Sequence, residues 1–172
     1  MSVNLTDKEQ FYPTSNKVAF EMLLPYLKDS EGIKSYLKRS SEKYLTSYRY
    51  TNRELYGDYP CNVELRSCYQ NILDPQAGEG HLLLYMRNVL KLRGKNYYAC
   101  EINMERQNIL RDNIYDCNII GFDFLSLNSD LIFDLILMNP PFNNGVHHLL
   151  KAWSVLKHGD IACLLNRETI DN

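Results

Sequence analysis

Short apolar runs alternate with stretches of helical periodicity through the second half of the chain. Residues 71–74 read as a strand stopped by Pro75. From Gly80 onward, Leu82, Leu83, Met86, Val89 and Leu90 fall on one broad helix face, and Gly94 punctuates its end. Residues 97–101 predict a second strand. Residues 103–115 predict a helix with Met104, Ile109 and Leu110 inward, and 117–122 a third strand. The run 131–138 holds a fourth strand, and its unbroken apolar character implies burial on both faces. A helix over 145–156 and a strand over 160–165 complete the series. This alternation implies an α/β fold with a parallel sheet covered on both faces. In such sheets a ligand sits at the carboxyl ends of the strands.

The first half reads differently. Ser15 caps an expected helix with Val18, Met22 and Leu23 apolar, and 33–45 predicts a second helix. Gly57-Asp58-Tyr59-Pro60 is a turn, and the rest of 46–70 has no clear period. The chain therefore divides into an N-terminal helical segment, 1–70, and a strand-and-helix core, 71–172.

At 172 residues the chain suits one domain, and 45% hydrophobic with 23% charged residues excludes a disordered tail or a fibre. No apolar run reaches the roughly 20 residues of a membrane helix, and the first residues lack the pattern of a signal peptide. A net charge of −2 argues against a purely electrostatic nucleic-acid binder. Five cysteines without a C-x-x-C pair read as reduced thiols of a cytoplasmic protein, and no spacing suits a metal site; the adjacent His147 and His148 make a poor chelate.

Four features at predicted strand ends carry chemistry. The first is Asp74-Pro75-Gln76-Ala77-Gly78-Glu79-Gly80. Its glycines allow a tight turn before a helix N-terminus, although an ordinary β–α turn looks similar. It matches neither G-x-G-x-x-G nor G-K-[ST], and its leading acid suits a cationic ligand better than a pyrophosphate. The second is Glu101, 21 residues after Gly80, where a carboxylate can bind ribose hydroxyls. The third is Asp123 between Phe122 and Phe124. A carboxylate there can accept from an adenine amino group while a ring lies against the purine; a loop aspartate beside two core aromatics reads equally well. The sharpest is Asn139-Pro140-Pro141-Phe142. Two prolines stop the strand, the Asn139 oxygen and Pro140 carbonyl can accept both hydrogens of a planar NH2 group, and Phe142 offers a stacking surface.

These motifs resemble the class I S-adenosylmethionine-dependent methyltransferases that act on exocyclic amino groups through N-P-P-[FYW]. They are most similar to DNA adenine-N6 methyltransferases of phage and restriction–modification origin. Phe11-Tyr12-Pro13-Thr14 resembles the short N-terminal motif of that family. The resemblance implies a Rossmann-like doubly wound sheet with an N-terminal helical extension. It implies that Tyr12, Thr14, Asp74, Ala77, Gly78, Gly80, Glu101, Asp123 and Phe124 contact S-adenosyl-L-methionine. Asn139, Pro140 and Phe142 would be catalytic, with no metal required. The implied activity is methyl transfer to the N6 amino group of adenine in duplex DNA, with the base flipped out of the stack. Similar tetrads occur in enzymes acting on RNA or on a protein glutamine, and a catalytically silent binding protein is a third reading.

The sequence departs from that family in three ways. The chain stops at Asn172, just after the fifth strand, where the family continues with two more strands. No recognition region follows, so a fragment, a truncated product or a subunit needing a partner is expected. The stretch 28–70 is also longer than the family's link. Over residues 34–53 it carries Lys34, Lys38, Arg39, Lys43, Arg49 and Arg53 against the single acid Glu42, interleaved with Tyr36, Tyr44, Tyr48 and Tyr50. This segment reads equally as a nucleic-acid contact and as a solvated amphipathic helix.

Overall fold

The computed structural model describes residues 13–28, 30–31, 64–89, 92 and 94–165. The expected helix at 33–45, the turn at 57–60, the basic segment from Lys34 to Arg53, and Tyr12 lie outside them.

Five parallel strands form one sheet in the order β3-β2-β1-β4-β5. They are β1 (Asn71–Asp74), β2 (Asn96–Cys100), β3 (Cys117–Gly121), β4 (Leu135–Met138) and β5 (Asp160–Cys163). The chain builds outward from β1 through β2 to β3, then returns to place β4 on the other side of β1. The switch point between β1 and β4 opens a crevice at their carboxyl ends. The last residue of β1 is Asp74, and Asn139 directly follows β4, so both stand at that crevice.

Burial explains the strand chemistry. Ile72, Leu135 and Leu137 pack into one core layer; Leu73, Ile136 and Met138 pack into the other. All four residues of β4 are buried, as expected for a strand covered on both faces. Helices α1 (Asn16–Leu23), α2 (His81–Leu84, widening into a π turn over Tyr85–Val89) and α3 (Met104–Asn113) cover the first layer. Helix α4 (Gly145–Val155) covers the second.

The elements begin where their sequences provide caps. Ser15 Oγ accepts from Val18 N–H at the start of α1, and Asn103 Oδ1 accepts from Glu105 and Arg106 N–H at the start of α3. Met104 was expected inward but is 56% exposed. It is the first residue of α3, and the inward face falls on Gln107, Leu110 and then Ile114. The strands also end earlier than expected, β3 at Gly121 and β5 at Cys163.

The N-terminal helix is fastened to the core at its far end. The Tyr26 hydroxyl donates to the Ile161 carbonyl of β5 at 3.2 Å. Its ring meets Tyr69 edge-on at 5.8 Å, and backbone bonds join Lys28 to Glu64 and Arg66 to Tyr26. This fastening brings Pro13 and Thr14 to the crevice. Among the described residues, no helix is long and apolar enough to cross a membrane.

Candidate functional site

The strand ends and their loops enclose a cavity of about 280 Å³. Thr14, Asp74, Ala77, Glu101, Asp123, Phe124 and Asn139, each singled out from sequence, all line it. A second cavity of about 360 Å³ is lined by Pro13, Thr14, Ser15, Val18, Asn139, Phe142, Leu164 and Leu165, none of them charged. Pro13, Thr14 and Asn139 line both cavities and form the wall between them.

The glycine loop is built on two left-handed residues, Gly78 (φ 57°) and Gly80 (φ 90°). Gly80 also caps α2; its left-handed φ would strain any other residue, and a Cβ on it, 2.6 Å from Leu110 Cδ1, would force that side chain to shift. Asp74 is almost wholly buried at the head of the loop. Burial pushes its carboxyl up to about 7; the Gln76 N–H at 3.2 Å opposes this, and the Glu101 charge adds to it. The carboxyl can therefore exchange a proton for a cationic ligand near neutral pH.

Glu101 is also buried, but its charge is met. Oε1 accepts from Asn103 N–H at 2.8 Å and from Arg106 Nε at 3.0 Å, with Arg106 Nη2 at 2.9 Å. Oε2 accepts from Gly78 N–H at 2.8 Å. Four acceptor sites on a carboxylate leave capacity at Oε2, so this oxygen is the one suited to a ligand hydroxyl. Asp123 caps the turn Phe124–Ser126 by accepting from Leu125 N–H at 2.9 Å, and lines the cavity with Phe122 and Phe124. Ile102 and Phe122 are each more than half exposed and give the cavity apolar flanks.

Asn139 donates through Nδ2 to Thr14 Oγ1 at 3.1 Å. Pro140 is buried, whereas Phe142 is 42% exposed on the second cavity. The tetrapeptide is thus divided: Asn139 faces both cavities, and Phe142 lines the second alone. Gly78, Gly80 and Pro140 line neither and shape the backbone around them.

Sequence reasoning missed Gln76, Arg106 and His148 as cavity residues. Gln76 Nε2 lies 2.8 Å from His148 Nδ1, and the His148 ring stacks near-parallel on Phe124 at 6.2 Å. His148 shares the inward face of α4 with Gly145 and Ala152, a spacing that could have marked it as buried. Among the described residues, no three His, Cys, Asp or Glu side chains gather into a metal-holding group.

Residues 63–164 match the family described as Methyltransferase small domain. A similar solved structure is the type I restriction-modification system methyltransferase subunit from Streptococcus thermophilus. Its TM-score is 0.50 at 20% identity, over 58% of this chain and 30% of that one. TrmN from Thermus thermophilus also has a TM-score of 0.50, at 22% identity over 69% of this chain and 37% of its own. The chain thus spans about a third of the length of these two structures, and at such identities the likeness establishes the fold. A comparison with curated proteins finds no match.

Proposed function

The chain belongs to the methyltransferase small domain family, and from this premise we propose that it transfers a methyl group from S-adenosyl-L-methionine to the N6 amino group of adenine in DNA. The observation that carries the proposal is the position of Asn139 in the wall between the two cavities, with Phe142 on one side and Asp74 on the other. A donor in the first cavity and a flat, uncharged acceptor in the second would meet at that wall.

The first cavity suits the cofactor by its donors and acceptors. Asp74 offers a buried carboxyl to a cation, Glu101 Oε2 an acceptor to a ribose hydroxyl, and Asp123 an acceptor to an amino group beside the Phe124 ring. Ala77, Gly78 and Gly80 shape the loop against the methionine portion, and Thr14 approaches it from the N-terminal side; the resemblance adds Tyr12 to the cofactor contacts. When bound, S-adenosylmethionine supplies a methyl group on a sulfonium sulfur, which keeps the S–C electron pair as the new N–C bond forms.

The chain's own groups make the acceptor reactive. An adenine amino nitrogen is a poor nucleophile because its lone pair is delocalised into the ring. The Asn139 oxygen and the Pro140 carbonyl accept its two hydrogens and favour a tetrahedral nitrogen with a localised lone pair. Phe142 stacks on the base and fixes its plane. This is positioning with electrostatic stabilisation, and the surplus proton leaves to water afterwards. The second cavity supports a nucleobase over a charged acceptor because, among the described residues, no ionic side chain lines it. Lys34, Lys38, Arg39, Lys43, Arg49 and Arg53 supply the phosphate contacts that duplex DNA requires.

Incubating the protein with methyl-labelled S-adenosylmethionine and separate pools of DNA, RNA and protein tests the proposal. Label in DNA is expected. Label confined to RNA or protein would move the substrate, and none in any pool would leave a binding protein.

A further inference from the structure

Helix α4 carries two apolar faces and buries one. Gly145, His148 and Ala152 are buried toward the sheet, with Leu149, Val155 and Leu156 packed at the margin of that core layer. Val146, Leu150 and Trp153 follow one another at i, i+4 and i+7 on a different face, roughly a third of a turn around the helix. They are 47%, 63% and 74% exposed. We infer that this row is a docking surface for a protein partner, an amphipathic helix that carries carboxylates along its edge.

Single apolar residues on a surface are ordinary, but a contiguous row of large ones marks an interaction site. The solvent side of a helix lying on a sheet is expected to be polar. On α4 the polar positions outside the buried face are only His147, Lys151 and Ser154. The i, i+4, i+7 spacing is the one through which helices meet a partner of complementary shape. Trp153 is the chain's only tryptophan and the most exposed residue of the row, and Trp is the residue type most enriched among interface anchors.

Charge selects the occupant. From Leu135 to Gly159 the chain carries no Asp or Glu, although it has 21 in all. Lys151 lies on the same helix, and Lys157 and His158 stand exposed just beyond its end. The Asp123 carboxylate acts on His148, on the buried side of the helix. The docking face is thus apolar with a cationic edge. A second copy of this chain would bring two such edges together, and like charges across an interface cost affinity. Duplex DNA would meet the cations but press Val146, Leu150 and Trp153 against phosphates. A helix with one apolar row and acidic residues beside it satisfies both parts of the face. The row begins four residues after Phe142, which lines the second cavity, so the partner would lie beside that cavity. The inference rests on the surface alone and does not depend on the reaction proposed above.

Trp153 is its own reporter. Its emission in the protein alone should be that of a tryptophan in water. The probe is a synthetic helical peptide of about 18 residues, long enough to hold a helix, with Leu along one face and Glu along both edges; its control has Lys in place of Glu. The Glu peptide is expected to shift the emission to the blue and to bind at least about 10-fold more tightly than the Lys peptide. Leu150→Ser should weaken the Glu peptide by about 10-fold or more, with the circular dichroism unchanged because the residue is exposed. Lys151→Glu combined with Lys157→Glu should reverse the preference between the two peptides. No blue shift with the Glu peptide, equal binding of both peptides, or an unaltered preference in the charge-reversed protein would overturn the inference. So would an emission that moves to the blue with protein concentration while light scattering shows a dimer, since a second copy would then cover the row. A shift with duplex DNA or phosphatidylglycerol vesicles that matches the Glu peptide's would likewise overturn it.

Discussion

Gln76 and His148 are joined side chain to side chain at 2.8 Å, tying the loop after β1 to the first turn of α4. The bond uses His148 Nδ1, so with Gln76 donating, a neutral imidazole carries its proton on Nε2. Burial holds the His148 pKa below its ordinary 6.5; the Asp123 carboxylate pulls it back up, and neighbouring His147 lowers it. Between the lowered folded value and 6.5 the unfolded chain binds more protons than the folded one. Stability from this group is therefore complete above 6.5 and is lost as pH falls through that window. In thermal melts from pH 5 to 8, the wild-type curve minus the His148→Gln curve should rise with pH below 6.5. A difference that is flat with pH would contradict the assignment.

Asp74 has the opposite sign. Its carboxyl is raised from 3.8 to about 7, first by burial. Between those values the folded chain keeps a proton the unfolded chain has lost, so this group stabilises most below 3.8 and its contribution falls as pH rises toward 7. A cationic ligand favours the carboxylate, so S-adenosylmethionine should bind more tightly as pH passes upward through about 7. Calorimetry in two buffers of different ionisation heat should show proton release in wild type and none in Asp74→Asn. Equal proton release from both proteins would contradict this.

Gly159 tests how the sheet is closed. Its φ of 133° is open to glycine alone, and a Cβ there would collide with the Asp134 carbonyl oxygen at the entrance to β4. The same carbonyl accepts from Asp160 N–H at 3.1 Å, which starts the β4–β5 pairing. Gly159→Ala should cost at least about 2 kcal/mol, a fall in Tm of roughly 4–8 °C for a chain of this size. A Tm within a degree of wild type would show that the segment relaxes freely.

The strand pattern was legible because each strand carries its own apolar signal: all four residues of β4 are buried, and the sequence 135–138 is unbroken Leu-Ile-Leu-Met. The motifs were legible because glycines and prolines punctuate strand ends, and the ends of a parallel sheet gather on one side. Asp74, Glu101, Asp123 and Asn139 meet in one cavity for that reason. Pairings between distant side chains were not legible. Nothing in the spacing of Thr14 and Asn139, or of Gln76 and His148, encodes a bond set by how α1 and α4 pack on the sheet. Arg106 was missed because a basic residue on an amphipathic helix reads as solvated, whereas here it meets the buried Glu101. Met104 was misplaced because a cap at Asn103 sets the phase of α3, and a period without a fixed origin leaves the inward face undetermined.

The most direct measurement of the central claim compares wild type with Asn139→Ala on DNA. Each protein is incubated with labelled S-adenosylmethionine, the DNA is digested to nucleosides, and N6-methyladenine is quantified by mass spectrometry alongside the cofactor Kd. Wild type should produce N6-methyladenine, and Asn139→Ala should fall by a factor of about 10² to 10³ with cofactor affinity nearly intact. Equal product from both proteins, or methyl groups on another base or polymer, would contradict the account.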